Sequence, residues 1–170
     1  MEKELKRSKR FGAKGELLVV IQIVLVALFV FTPVWPDLRS GDLYRQLAIP
    51  RWIALLAGML AGAMLVIGGV TSIRKYLTPL PYPVDDNRLV DTGVYALVRH
   101  PLYSSQLLAA AGWTIYSLSF SHLIVTIAAY IFFSHKASKE EAWLTQRHPE
   151  YRDYAARVGK FAPGVGRLKK

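Results

Sequence analysis

The sequence predicts an all-α integral membrane protein with about four transmembrane helices and a C-terminal helix at the cytosolic interface. Three observations carry this. Of 170 residues, 52% are hydrophobic, more than a soluble domain usually holds, and the mean hydropathy is positive. The apolar residues are gathered into long blocks. The lysines and arginines stand at the edges of those blocks. One domain covering residues 1–170 is the expectation at this length. With no cysteine in the chain, disulfides, thiolate metal sites and cysteine nucleophiles are excluded, and no metal site is expected. The net charge of +10 raises nucleic acid as a partner. The basic residues form no single amphipathic face, so no nucleic acid is expected.

Residues 17–35 read "LLVVIQIVLVALFVFTPVW", with one glutamine and no charge. At about 1.5 Å per residue this run crosses a hydrocarbon core of about 30 Å. The basic stretch "KRSKRFGAK" before it is also how a cleaved signal peptide begins. No small-x-small cleavage site follows and further spans come later, so a retained anchor is expected. Residues 52–73 form the second span, bracketed by Arg51 and Arg74. Gly58 and Gly62 make a GxxxG pattern beside Ala54, Ala57 and Ala61, which lets a neighbouring helix approach closely. Packing inside the bundle and dimerisation both use such a face, and the former is the expectation. Residues 102–118 and 122–133 are shorter. With "YSLSFSH" as a tight turn they read as a helical hairpin whose arms reach beyond the lipid.

With a cytoplasmic N-terminus and four spans, 19 of the 22 lysines and arginines lie on the inner side, against Arg39, Arg45 and Arg51 outside. That is the positive-inside asymmetry. It predicts both termini in the cytoplasm and membrane lipids as partners, the basic edges meeting anionic headgroups.

Two polar segments remain inside. In "RKYLTPLPYPVDDNRLVDTGVYALVRHP", Pro79, Pro81 and Pro83 forbid helix, and Asp85-Asp86-Asn87 and Asp91-Thr92-Gly93 are turns. A long irregular loop of this kind is functional or disordered, and its aromatic and aliphatic side chains argue for order. The segment from Ser134 continues the fourth helix. A last helix restarts at His148-Pro149-Glu150 with Pro149 at its first position. Its apolar face of Tyr151, Tyr154, Ala155 and Val158 reads as lying on the headgroups. A hairpin turning near Phe120 sets His100 opposite Lys136 to Glu140, and Tyr103 opposite His135. Lys136 and Glu140 are four residues apart and share a helix face. Taken by themselves, these residues allow two readings. Arg99 snorkels to phosphates, His100-Pro101 starts a helix and Lys136–Glu140 is a surface ion pair; or the polar clusters converge on one site.

"GVYALVRHPLYSSQLL" followed by "KEEAWLTQRHPEYRDYAARV" resembles the isoprenylcysteine carboxyl methyltransferase family of membrane enzymes, to which the phospholipid N-methyltransferases are related. The resemblance covers roughly residues 80–163 and rests on Arg99-His100-Pro101-x-Tyr103, the pair Glu140-Glu141, and Tyr151 and Tyr154. It implies that residues 74–170 are the catalytic half, behind two N-terminal spans in 1–73. The implied function is S-adenosylmethionine-dependent methyl transfer at the membrane interface to a lipophilic acceptor, small or prenylated, with a carboxylate as the first expectation. No strand followed by GxGxxG occurs, in keeping with cofactor binding outside a Rossmann fold. By resemblance the cofactor residues are Leu80, Asn87, Arg88, Leu89, Val90, Tyr95, His100, Pro101, Leu102, Tyr103 and Glu140. Arg99 and Lys136 are the implied catalytic residues, with Lys136 also contacting the acceptor. Lys136 stands where the family has arginine, and Asn87 where members often have histidine. Alternatives are an amine, phospholipid or thiol acceptor in the same family, an NADPH-dependent reductase, or a non-enzymatic membrane scaffold.

Overall fold

The computed structural model describes residues 15–74 and 89–168. Among them every regular element is helical: α1 (Glu16–Phe31), α2 (Asp42–Gln46), α3 (Ala48–Ile73), a 3₁₀ turn (Gly93–Ala96), α4 (Pro101–Ser117), α5 (Phe120–Arg147) and α6 (Tyr151–Arg157). The first span, expected to reach Trp35, stops at Phe31. Thr32 turns extended, with ψ 127°, because the residue before a proline, here Pro33, is driven out of the helical region. α1 is therefore about 24 Å long. Among the described residues α3 is the one helix both long and apolar enough to cross a membrane unaided.

α3 and α4 pack along most of their length, and small residues set their separation. A Cβ on Gly58 would lie 2.6 Å from the Leu108 carbonyl oxygen, and one on Gly62 would lie 3.0 Å from that of Ser105. From the other side, a Cβ on Gly112 would lie 3.0 Å from the Ala54 carbonyl oxygen. The glycine pattern is thus used inside the bundle, as expected. The hairpin turn falls at Leu118-Ser119. Leu118 takes a left-handed conformation that ends α4 (φ 49°), and the Ser119 hydroxyl accepts the His122 N–H at 3.2 Å, capping α5. α5 continues through Ser134 to Arg147 as one 28-residue helix, and α1 leans on it. Aliphatic side chains such as Ile23, Val24, Leu60, Met64, Ile67, Ile127 and Ile131 stand exposed along α1, α3 and α5.

The far end of the bundle is aromatic. Trp52 packs on Tyr116 at 4.7 Å, and Arg51 lies over the Tyr44 ring at 3.2 Å. Arg51 also donates to the Tyr116 carbonyl at 2.8 Å, satisfying the exposed end of α4.

α6 corrects two expectations. Pro149-Glu150 form a turn and the helix begins at Tyr151. Its apolar face does not lie free for headgroups. Tyr151, Tyr154 and Ala155 are buried against Leu89, Leu144 and Val158 of the chain itself. Two large rings on one short helix close on neighbouring apolar surface when any is in reach.

Candidate active site

The polar end of the hairpin is assembled from three chain segments. Pro101 opens α4 at its first turn, where its missing N–H is no loss. Residues 98–100 lie outside the helix ahead of it, and the segment after α6 runs parallel to them. Val98 bridges Gly159, the Arg99 N–H donates to the Gly159 carbonyl at 2.9 Å, and the His100 N–H donates to that of Lys160 at 3.2 Å.

Arg99 lies deepest, its side chain 0% exposed. Nε donates to Glu141 Oε1 at 2.9 Å and Nη2 lies 2.8 Å from the same oxygen. Nη1 donates to the carbonyls of Ala155 (3.1 Å) and Val158, and Nη2 to that of Gly166 (3.0 Å). One guanidinium therefore holds the end of α5, the end of α6 and the C-terminal segment, a task that its planar fork of five donors suits. Lys160 adds a second cation, 3.6 Å from Glu141 Oε2.

His100 lies between the two glutamates. Nε2 is 3.0 Å from Glu141 Oε1 and Nδ1 is 3.4 Å from Glu140 Oε2. Burial works against the imidazolium, but hydrogen bonds and charge from Glu140 and Glu141 outweigh it, so the His100 pKa is raised. Burial likewise works against the Glu141 carboxylate. Its bond to His100 and the charges of His100, Arg99 and Lys160 prevail and hold its pKa below the usual carboxylate range. Tyr95 is pushed up to about 12, first by burial and then by the charge of Glu140.

One turn into α4, the Tyr103 hydroxyl donates to Glu140 Oε1. Its ring stacks on His100 at 5.6 Å on one side and on Phe133 at 4.9 Å on the other. Lys136 Nζ lies 5.1 Å from the Tyr103 ring centroid and donates to Gln22 Oε1 of α1 at 2.6 Å. A cavity of about 330 Å³ opens beside α5 between Leu17 and Leu18 of α1 and Lys139, Ala142 and Trp143 of α5.

The structure thus brings together His100, Tyr103, Lys136 and Glu140, with Tyr95 close by. It sets Arg99 behind them, saturated by the chain. Leu80, Asn87 and Arg88 lie outside the described residues. Leu89 packs under Tyr151 and Tyr154, and Val90 is half-buried. The Pro101 and Leu102 side chains turn toward α3, where a Cβ on Gly69 would meet them at 3.3 and 3.1 Å. Lys160, Phe133, Gln22 and Gln106 complete the arrangement without having been singled out by the motifs, and Glu141, named in the motif as half of a glutamate pair, had been given no role. Glu141 had a signal: a buried arginine requires a carboxylate, and a step of one residue turns a helical side chain by about 100° toward a different neighbour. Gln22 had one as well, as the lone amide side chain in a span. Lys160 had none.

The chain is similar to several known proteins. Over 149 residues the chain is 28% identical to the nickel-cobalt-cadmium resistance protein NccN of Alcaligenes xylosoxydans, covering 85% of this chain and 62% of that protein. Over 83 residues it is 36% identical to a probable protein-S-isoprenylcysteine O-methyltransferase of Oryza sativa, covering 48% of this chain and 44% of that protein. The fold matches the structure of a eukaryotic intramembrane Ras methyltransferase, isoprenylcysteine carboxyl methyltransferase, with TM-score 0.66 and 21% identity over 91% of this chain and 55% of that one. The chain thus spans between about two fifths and three fifths of the length of these proteins. The family model of the isoprenylcysteine carboxyl methyltransferases matches residues 52–146, which hold most of α3, the Arg99-His100-Pro101 threshold and both glutamates, and cover more than half of the sequence. The chain is therefore a member of that family of integral-membrane proteins.

Proposed function

We propose that this protein transfers a methyl group from S-adenosylmethionine to a lipophilic carboxylate at the cytosolic face of a membrane. The observation that carries the reading is the convergence of His100, Tyr103, Lys136 and Glu140 at the polar end of the hairpin, in a chain of this family. The donor set fits the cofactor. The Glu140 side chain is 15% exposed and keeps lone pairs for an ammonium or ribose hydroxyl beyond those facing Tyr103 and His100. The rings of Tyr95, His100 and Tyr103 offer flat apolar surface beside it. When bound, S-adenosylmethionine supplies a methyl group already activated on a sulfonium, so attack by a carboxylate needs no general base.

What the chain supplies is position, charge and exclusion of water. Tyr103 and His100 fix Glu140. Lys136 presents an ammonium to the acceptor's carboxylate. Arg99 touches none of these groups and acts as a positioning residue, holding Glu141 and hence His100. Resistance to metals, named for NccN, has no evident site here: among the described residues no cluster of three metal-ligating side chains is present.

Two expected results test this. S-adenosylmethionine should bind the purified protein in detergent by calorimetry. Glu140→Gln and Tyr103→Phe should each weaken binding roughly tenfold, the loss of a charge-assisted hydrogen bond, whereas Lys136→Met should leave it nearly intact and lower kcat/KM for the acceptor about tenfold to a hundredfold. Unchanged affinity in folded Glu140→Gln and Tyr103→Phe would reject the site. The reading also includes α1, α3, α4 and the apolar part of α5 as four spans, the aromatic end outside and both termini inside. Reporter fusions at the two ends should both score cytoplasmic, and opposite signals would rule that arrangement out.

A further inference from the structure

α1 carries one polar side chain beyond its first residue, Gln22, in "ELLVVIQIVLVALFVF". An amide in an apolar helix is costly unless partnered. Gln22 is partnered on both sides. Lys136 Nζ donates to its Oε1 at 2.6 Å, its Nε2 donates to Gln106 Oε1 at 3.2 Å, and Gln106 Nε2 donates to the Leu102 carbonyl at 3.0 Å. The direction of this relay is dictated from its ends. An ammonium can only donate and a backbone carbonyl can only accept. Both glutamines are therefore oriented by chemistry: oxygen toward Lys136, nitrogen toward Leu102.

The relay ties α5 to α1 and then to the first turn of α4, where His100 and Tyr103 stand. Lys136 is buried, 3% exposed, and among the described residues no carboxylate lies within ion-pair distance of it. Its hydrogen-bond partner is a neutral oxygen, and the Glu140 carboxylate acts on it by charge from one helix turn away. A glutamate at position 22 would reach the same place and cancel the charge. Glutamine holds the ammonium still while leaving that charge, and two of its three N–H groups, for something else.

We propose that Gln22 is a positioning and specificity-determining residue of the acceptor site. Relayed through Gln106 to α4, it aims Lys136 so that an anionic acceptor is accepted and an amine is not. The inference rests on the methyltransferase reading above and adds to it a residue outside the 52–146 segment that marks the family.

The test uses the full chain in detergent micelles, S-adenosylmethionine, and N-acetyl-S-farnesylcysteine as the probe acceptor. Gln22→Leu, an apolar change suited to a membrane helix, should raise the probe's KM or lower kcat/KM roughly tenfold, while the cofactor's Kd stays within about twofold of the wild type. Gln22→Glu should lower kcat/KM further, about a hundredfold, by pairing with Lys136. On a Lys136→Met background, Gln22→Leu should add nothing, because both changes act on one group. If Gln22→Leu keeps kcat/KM within about twofold, or its loss adds in full to that of Lys136→Met, the positioning role is overturned while the methyltransferase reading stands. A cofactor affinity that falls together with turnover overturns it too, since Gln22 would then support the bundle as a whole. If the wild type neither binds S-adenosylmethionine nor methylates the probe, the methyltransferase reading fails and takes this inference with it. If it binds the cofactor and leaves the probe untouched, the anionic prenyl acceptor is wrong and so is the specificity assigned to Gln22.

Discussion

Replacing Arg99 by leucine is expected to release the C-terminal segment from the bundle. The guanidinium is fully enclosed and holds Glu141 together with the carbonyls of Ala155, Val158 and Gly166. Removing one partner of a buried ion pair costs about 3–5 kcal/mol, because the other charge stays buried. Each carbonyl left without a donor adds about 1–3 kcal/mol, not fully additively. Against a domain stability of about 5–15 kcal/mol, this is enough to open the part of the structure that depends on it, and local opening precedes global unfolding. Trypsin should then cut faster at Arg157 and Lys160, and the melting temperature should fall. Arg99→Lys should lie between, keeping the charge and losing the fork. Wild-type cleavage and melting in Arg99→Leu would show that the clamp holds nothing.

The same clamp should respond to pH. The pKa of His100 is raised above its ordinary 6.5, so the stability it adds is complete below that value and is lost as pH climbs through the raised one. The pKa of Glu141 is lowered from 4.5, so its contribution is complete above that value and is lost as pH falls through the depressed one. Melting of the wild type should therefore peak between about pH 4.5 and 6.5, and the alkaline decline should shrink in His100→Asn.

Gly58→Val is expected to be the most damaging change in the membrane part. Its Cβ would lie 2.6 Å from the Leu108 carbonyl oxygen and 3.2 Å from the Gly112 Cα. Both are backbone atoms, so no rotamer change relieves the overlap and the helices must separate. Overpacking a seam of this kind costs about 1–3 kcal/mol. The separation would also loosen the contacts at Gly62 and Gly69 farther along it. Because α4 begins at Pro101, moving α4 moves His100 and Tyr103, so cofactor affinity should fall along with the melting temperature. Gly58→Ala should show the same effects at smaller size. Ala63→Val, on the exposed side of α3, should change neither. Equal melting of Gly58→Val and Ala63→Val would remove the close approach from the account of the fold.

Much of this was legible along the chain, because it is governed by local rules. A period of 3.6 residues and a short turn set the hairpin, and with it the meeting of His100 with the Lys136–Glu140 face; Tyr103, set opposite His135 by the same register, reaches Glu140 instead, and His135 is exposed. Proline at the first turn set where α4 begins. Small residues at the spacing of one helix turn marked the face of α3 that takes a neighbour at close range. The end of α1 was legible too, since Pro33 forbids helix in the residue before it, although hydropathy alone carried the span on to Trp35.

How adjacent charges divide their work follows from packing. Glu140 and Glu141 are neighbours in the chain, yet one takes Tyr103 and the other Arg99, because successive side chains on a helix point about 100° apart and what each meets depends on where other segments lie. Arg99 took shape as a clamp only once the end of α6 and Gly166 were folded over it. The face of α6 closed on Leu89 and Leu144 because apolar surface stood within reach, a fact that its own periodicity does not contain. Gln22 and Lys136 are 114 residues apart. Nothing local to either names the other, and a bond of that separation exists only after packing has set α1 against α5. Periodicity and turn geometry act within a few residues, so the chain alone showed which polar groups share a helix face. The tertiary structure alone decided which of them are buried, paired and held, because burial and pairing depend on what the rest of the chain brings alongside.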